Sequence, residues 1–420
     1  MNYKVEEIKK GVKLHLIKTN KFKTNLFSAF ITTPLTKENV TKTALIPKVL
    51  KRGSSMFNTQ DKISRELEEM YGAELDCGID KIGDNQVIKF YLEALNDRFL
   101  PDEKISDKCV NMLLNVLLNP YTEKGVFSKE YVDGEKENLK QIILGKIDNK
   151  ARLAMDRCTE EMCKDKPYGL YKFGYVEDIN KINENNLFEY YKLLVKNAKI
   201  DIYISGDFDI DTMKNIVNEN VEIKGINERI PVIAKEEKVE KISEINIIND
   251  NMDVTQGKLV IGLSTNEGKK DDIYTALMYN AILGGGSNSK LFQNVREKEG
   301  LAYTAGSSYI RTKGIIFIRA GIEIDKYDKA VEVIKEQLQQ MKNGDFNDED
   351  INNSRKLLLA GIKNIPEEQD TEITYYLGQE LAGTNISIDE YENKINEVSK
   401  QAIIDLANKI SINTIYFLRN

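Results

Sequence analysis

Near the start of the chain, in "GVKLHLIKT", apolar and polar residues alternate. Val12, Leu14 and Leu16 fall to one side, and Lys13, His15 and Ile17 fall to the other. Such a period of two predicts a β-strand with one buried face, which places His15 beside Lys13 on the solvated face. "NLFSAFITT" is a second β-rich run after a short polar turn. "ENVTKTALIPKVL" has helical period but carries Pro47. That residue costs a helix interior up to ~3 kcal/mol and is expected to kink or shorten the helix. "NTQDKISRELEEMYGA" is a cleaner helix, with Asn58 as its cap and Asp61 in its first turn. Ile63, Leu67, Met70 and Tyr71 form one face of it, and Gly72 is the stop. "AELDCGI" and "QVIKFYLEAL" predict an antiparallel pair around "KIGDN". A long helical region runs from about Ser128 to Lys164, and "AKIDIYISGDFD" closes the half as a strand and turn.

Between Val221 and about Asn249 the pattern fades into charged, weakly periodic chain containing Pro231, which reads as a linker. Then the plan restarts. "QGKLVIGLSTN" reads as a strand, "DDIYTALMYNAILGG" as a helix, and "LAYTAGSSYIRTKGIIFIRAGI" as a strand pair. Two helices follow, and "NTIYFLRN" closes this half as "DIYISGDF" closes the first. The repeat predicts an α+β protein of two duplicated domains, 1–220 and 250–420 joined by the linker 221–249. Each is expected to be an antiparallel sheet covered by helices.

Composition narrows the function. With 420 residues, 41% hydrophobic and 30% charged, the chain is an ordinary globular protein of two or three domains. Its net charge of −7 argues against a nucleic-acid partner, which needs a basic patch. No segment reaches the ~20 apolar residues of a membrane span, and the amino terminus has no apolar signal stretch. Cys77, Cys109, Cys158 and Cys163 form no C-x-x-C pair and read as reduced thiols of a cytoplasmic protein. A single histidine is the sharpest restriction: a histidine-rich metal site, a Ser-His-Asp triad or a Cys-His dyad would each need His15.

The densest turn chemistry is "LGGGSNSKLFQNVREKEGLAY", residues 283 to 303. As a phosphate loop it lacks the G-x-x-x-x-G-K-[ST] spacing, and its glycines follow a helix instead of a strand. As a packing device it is coherent. Gly284 to Gly286 break one helix, Ser287 or Asn288 caps the next, Leu291 and Val295 are an i,i+4 apolar pair, and Gly300 supplies a left-handed stop. Packing leaves Arg296 and Tyr303 unexplained. A helix-turn-strand reversal can present that guanidinium and phenol together at a sheet edge, where two long donors suit the carbonyl oxygens of an extended peptide.

With "LGGGSNSKLFQNVREKEGLAYTAGSSY", the sequence resembles the second-domain signature of the M16 zinc peptidases, the insulinase, pitrilysin and mitochondrial processing peptidase family. The resemblance implies the LuxS/MPP-like metallohydrolase fold, and it implies that Arg296 and Tyr303 hold the substrate chain near the scissile bond. It also exposes a departure. An active member carries H-x-x-E-H on a first-domain helix, followed by a "FKGT"-like turn. Here the turn is "LKRGS", which puts Ala44, Pro47 and Lys48 at the histidine, glutamate and histidine positions, and none of them can do that work. Downstream, Glu135 in "VDGEKENLKQII" matches the family's glutamate ligand, while the second glutamate of that segment is Ile142. Glu135 shares a stripe with Val132, Leu139 and Ile142. It is expected at the stripe's edge with its head in water, and one carboxylate cannot hold zinc.

Some bacterial members of the family resemble a divided enzyme, in which one subunit keeps the zinc motif and the other keeps the arginine and tyrosine. By that resemblance this chain is the catalytically incomplete, substrate-binding subunit of a heterodimeric peptidase. It holds no cofactor of its own, and zinc comes from a zinc-motif-bearing partner. "PLTKENVTKTALIPKVLKRGS" and "ISRELEEMYGAELD" further resemble bacterial members associated with modification of elongation factor P by 5-aminopentanol. One alternative is a peptide-binding or scaffold protein of the same fold with no peptidase role. Another is an unrelated cysteine or serine hydrolase, which would have to draw on His15 as its base.

Overall fold

The computed structural model describes residues 3–100, 103–223, 226–235, 237–239, 242–266 and 272–420. Contacts divide it into two compact units. Unit 1 comprises the chain up to Gly145, Leu170–Lys235 and Glu367–Gly378; unit 2 comprises Lys146–Gly169, Glu236–Pro366 and Gln379–Asn420. Neither unit is one continuous stretch, so each half of the chain lends a segment to the unit built mainly by the other half.

Unit 1 is organised on a six-stranded sheet. Its strands are β1 (Tyr3–Lys9), β2 (Val12–Lys18), β3 (Thr24–Pro34), β4 (Glu74–Ile82), β5 (Asn85–Leu95) and β6 (Lys199–Gly206), in the order β1-β2-β6-β3-β5-β4. Neighbours are antiparallel except β2 and β6. The helices of this unit are α1 (Val40–Leu50), α2 (Gln60–Glu69), α3 (Ser106–Leu118), α4 (Lys129–Leu144), α6 (Glu184–Asn197) and α7 (Ile210–Ile223). They bury the face carrying Leu14, Leu16, Phe27, Ala29, Ile202 and Ile204.

Unit 2 repeats the plan with β7 (Asn246–Asn251), β8 (Gly257–Ser264), β9 (Ala302–Ile310), β10 (Ile315–Ile322) and β11 (Ser411–Arg419), in the order β9-β10-β8-β11-β7. Here β7 and β11 are the parallel pair, and the others are antiparallel. Taken strand by strand, β7, β11, β8, β10 and β9 repeat β2, β6, β3, β5 and β4 in position and direction. The expected duplication is therefore present, and each antiparallel sheet carries one parallel pair because its closing strand lies beside a strand of the same direction. The helices of unit 2 are α5 (Lys150–Met162), α8 (Asp272–Gly284), α9 (Tyr327–Asn343), α10 (Asp348–Asn364), α12 (Ile388–Asn396) and α13 (Lys400–Lys409). Between α10 and α12 lies α11 (Gln369–Leu381), whose residues up to Gly378 belong to unit 1.

The lent segments explain why both sheets are buried on two faces. In unit 2, α5 covers Val260, Phe317 and Tyr416 with Leu153, Cys158 and Met162, on the opposite face from the main core of Leu259, Ile261, Ile318 and Phe417. Gly262 makes room for it, since a Cβ there would meet Met162 Sδ at 2.5 Å. In unit 1, α11 brings Gln369, whose Nε2 donates to the Ser205 carbonyl at 2.8 Å. It also brings Tyr376, which stacks on Tyr3 with ring centroids 3.7 Å apart.

This cover overturns the expectation for His15. It is 0% exposed, with the Tyr3 hydroxyl 2.8 Å from Nδ1, Asp201 Oδ1 3.0 Å from Nε2 and the Tyr203 ring stacked at 4.0 Å. The contacts suit the tautomer whose Nε2–H donates to Asp201 while the tyrosine hydroxyl donates to Nδ1. Burial alone would raise the Asp201 carboxyl, but the His15 hydrogen bond and the Lys199 ammonium hold it below the usual carboxylate range.

Smaller differences have local causes. The α2 cap is Thr59, which accepts from Lys62 N–H, and Tyr71 is exposed because the chain turns left-handed there with φ 61°. The region 128–164 is two helices, divided by a 3-10 turn at Gly145–Ile147. Pro47 does not cut α1, which continues to Leu50. Much of the segment expected as a linker is held in place. Arg229 is buried and bonded by its N–H to the Lys10 carbonyl, while Val239 N–H reaches the Lys313 carbonyl at 2.9 Å.

Candidate functional site

Ala44, Pro47 and Lys48 occupy successive turns of α1, which packs against α4, the helix carrying Glu135. Ala44 and Pro47 are buried and Lys48 is half-buried. Glu135 is 7% exposed, not solvated at the edge of its stripe as its neighbours suggested. Arg52, just past the end of α1, supplies the reason. Its guanidinium lies 3.6 Å from Glu135 Oε1 and sits over the Tyr131 ring, 5.2 Å from its centroid, one turn earlier on α4. Asn138 Nδ2 donates to Glu135 Oε2 at 3.0 Å. A buried carboxylate here is tolerated because a cation and an amide meet it.

The edge strand β4 closes the cluster. The Cys77 thiol donates to the Pro47 carbonyl at 3.3 Å, and burial pushes that thiol up to about 11 against the pull of Lys51 and Lys48. Little of it is thiolate near neutral pH, which disfavours a nucleophilic role. Asp76 takes the Lys51 ammonium at 3.1 Å. Partial burial opposes its ionisation, but Lys51, the Cys77 N–H and Lys48 hold its carboxyl below the usual range. Three cations, Lys48, Lys51 and Arg52, thus lie along the end of α1 beside Glu135 and Asp76. Among the described residues no three His, Cys, Asp or Glu side chains come together as a metal site. An alanine, a proline, a lysine and a carboxylate already committed to arginine do not fit a zinc ion.

Beside this cluster a cleft of about 640 Å³ opens over β4 and β5, bordered by Asp76, Cys77, Tyr91, Glu93 and the start of α11 at Glu368 and Asp370. β4 ends the sheet of unit 1, so its outer backbone groups have no strand neighbour.

In unit 2 the glycines and apolar residues of 283–303 are placed as the packing logic expects, but neither Ser287 nor Asn288 caps the helix, whose N-cap position is Leu291 with no side-chain cap bond. Gly284 lets α8 approach β9, since a Cβ there would meet the Ser307 backbone nitrogen at 2.5 Å. Leu291 and Val295 are fully buried, and Gly300 turns the chain with φ 59°. The helix between them is a π-helix, Phe292–Lys298, a form that recurs at functional positions. Arg296 projects from it, with its guanidinium 4.5 Å over the Phe292 ring and Nε 3.5 Å from Glu297. Tyr303 is 66% exposed and stands at an irregularity in the β9–β10 pairing, between Ala302 and Thr304. β9 is the edge strand of its sheet and repeats β4. Both side chains therefore reach solvent around one turn, and no described contact ties either to the other.

None of the four cysteines is in a disulfide, and no described helix is long and apolar enough to cross a membrane. Arg52 and Lys51 went unmarked in the sequence, and Cys77 was read there only as a reduced thiol. The only hint was the pair of basic residues in "LKRGS", directly after the degenerate motif.

Residues 181–358 match the family described as "Peptidase M16 inactive domain". The chain is 36% identical to the "Probable inactive metalloprotease YmfF" of Bacillus subtilis, over 100% of this chain and 99% of that protein. Among solved structures it is similar to a conserved protein from Enterococcus faecalis, with a TM-score of 0.91 and 25% identity. That match covers 100% of this chain and 99% of the other. It also shares its fold with a peptidase M16 inactive domain from Pseudomonas fluorescens, with a TM-score of 0.80, 16% identity, and 100% and 98% coverage.

Proposed function

The chain belongs to the M16 peptidase family as a non-catalytic member, and from that premise we propose that it is the substrate-binding subunit of a divided zinc peptidase. The observation that carries this reading is the contrast between two equivalent edges. Beside β4, on α1, the positions matched by resemblance to the family's metal ligands hold Ala44, Pro47 and Lys48, and Glu135 on α4 is paired with Arg52. At β9, Arg296 and Tyr303 stay exposed with no structural duty that burial would reveal. Large exposed side chains on a sheet edge suit the grip of an extended peptide.

In this role a zinc-motif-bearing partner supplies the metal, whose chemistry is activation of water. Arg296 donates to peptide carbonyl oxygens, and the Tyr303 hydroxyl donates to the oxygen that gains charge as the carbonyl is attacked. The relatives support such a division, since "Uncharacterized zinc protease YmxG" of Bacillus subtilis is 22% identical over 84% of this chain. Four cysteines outside any disulfide support a reducing, cytoplasmic setting.

The test is to co-express the chain with a zinc-motif M16 protein from its own source and assay cleavage of a quenched peptide. Arg296→Ala and Tyr303→Phe are each expected to lower the rate of the pair by ~10²–10³. An unchanged rate would return the chain to a scaffold role.

A further inference from the structure

The chain passes between its units five times, at 145/146, 169/170, 235/236, 366/367 and 378/379. Only one of these passages lies in the stretch that joins the two halves of the sequence. A cut near residue 232 would leave an amino-terminal fragment that still carries α5, part of unit 2. The carboxy-terminal fragment would still carry 367–378, part of unit 1.

Neither lent segment is marginal. In unit 1, Ile373 and Leu377 are buried and Gln369 is bonded to the Ser205 carbonyl. Glu367 pairs with Lys21 at 2.7 Å, and Tyr376 stacks on Tyr3. In unit 2, Leu153, Ala154 and Cys158 are buried against the sheet, and Met162 packs so closely on Gly262 that a Cβ there would meet its Sδ at 2.5 Å. Burial of several apolar side chains in each segment, at about 1.5–3 kcal/mol apiece, exceeds what one severed peptide bond removes.

We infer that the fold is a reciprocal clasp: a chain cut between its two halves remains one non-covalent molecule, because each unit is completed by a segment of the other fragment. The joining stretch sets the order of the segments, and the exchanged helices hold the molecule together. Neither unit can be freed intact by proteolysis at the join.

The test is a site-specific protease sequence inserted between Val232 and Ile233, where Val232 is 65% exposed. A second insertion between Ser243 and Glu244, also exposed, serves if the first does not fold. After cleavage both fragments are expected to elute together at the volume of the uncut chain. Separation or precipitation in native buffer would overturn the inference. Gln369→Ala with Tyr376→Ala, and independently Met162→Ala, are expected to lower the urea midpoint at which the cut fragments part. If both sets leave that midpoint unchanged while the fragments stay together, the exchanged helices are not the clasp and the inference fails.

Discussion

Arg52 holds its guanidinium 3.6 Å from the Glu135 carboxylate, just past the end of the helix that carries Ala44, Pro47 and Lys48. A fixed organic cation there neutralises the buried carboxylate, and the two form a structural ion pair. Arg52→Ala should cost about 1–2 kcal/mol, less than a fully buried pair because the guanidinium is partly solvated. Adding Glu135→Gln should recover most of that loss. Urea unfolding of both single variants and the double variant measures the coupling, and purely additive losses would contradict it.

Metal binding should follow the same logic. The natural chain, dialysed against zinc, should retain no stoichiometric metal. Ala44→His with Pro47→Glu and Lys48→His places two imidazoles four residues apart on α1, opposite Glu135. Zinc uptake by that variant should strengthen when Arg52→Ala frees the carboxylate. Metal analysis with competitive titration reads the difference, and weaker binding on removing Arg52 would refute the assignment.

Glu372 on α11 is buried, and burial pushes its carboxyl up to about 7, with Lys21 only partly offsetting this. Its folded value lies above the ordinary 4.5, so folding favours the protonated form. The associated stability is full below about pH 4.5 and fades as pH rises through about 7. Glu372→Gln should therefore flatten this part of the stability profile and stabilise the protein at pH 8 by about 1–3 kcal/mol. Unfolding of both proteins between pH 5 and 8 tests the sign.

Two glycines should respond in opposite ways. Gly284→Ala drives a methyl onto the Ser307 backbone and should destabilise by about 1–3 kcal/mol. Gly361 lies within α10 with nothing within 4 Å of an added Cβ, so Gly361→Ala should stabilise by about 0.5–1 kcal/mol. Thermal unfolding of both separates close packing from helix propensity.

Arg296→Ala and Tyr303→Phe should each leave stability within about 0.5 kcal/mol, as befits exposed side chains away from the core. A large loss would make them structural residues and remove the ground for a role in substrate binding.

The repeated order of strands and helices was legible because periodicity marks each element and turn chemistry punctuates it. Periodicity shows that a strand has two faces, but it does not say what covers the second one. His15 reads as solvated beside Lys13, yet Tyr3, itself stacked on Tyr376 of α11, lies over it. Glu135 reads as an edge carboxylate because its partner, Arg52, lies outside its own helix, beyond the reach of any i,i+4 pattern. The exposure of Arg296 and Tyr303 was legible because packing accounts for their neighbours and leaves these two over.

The chain's one imidazole is walled in by Tyr3, Tyr203 and Asp201 beneath α11. It is therefore a native reporter needing no label: the two carbon-bound ring protons of a single imidazole, shielded by aromatic faces, register whether Tyr376 of the lent helix is seated on Tyr3. Acylating reagents that seek histidine will find it only after that helix has lifted, so their rate counts the openings.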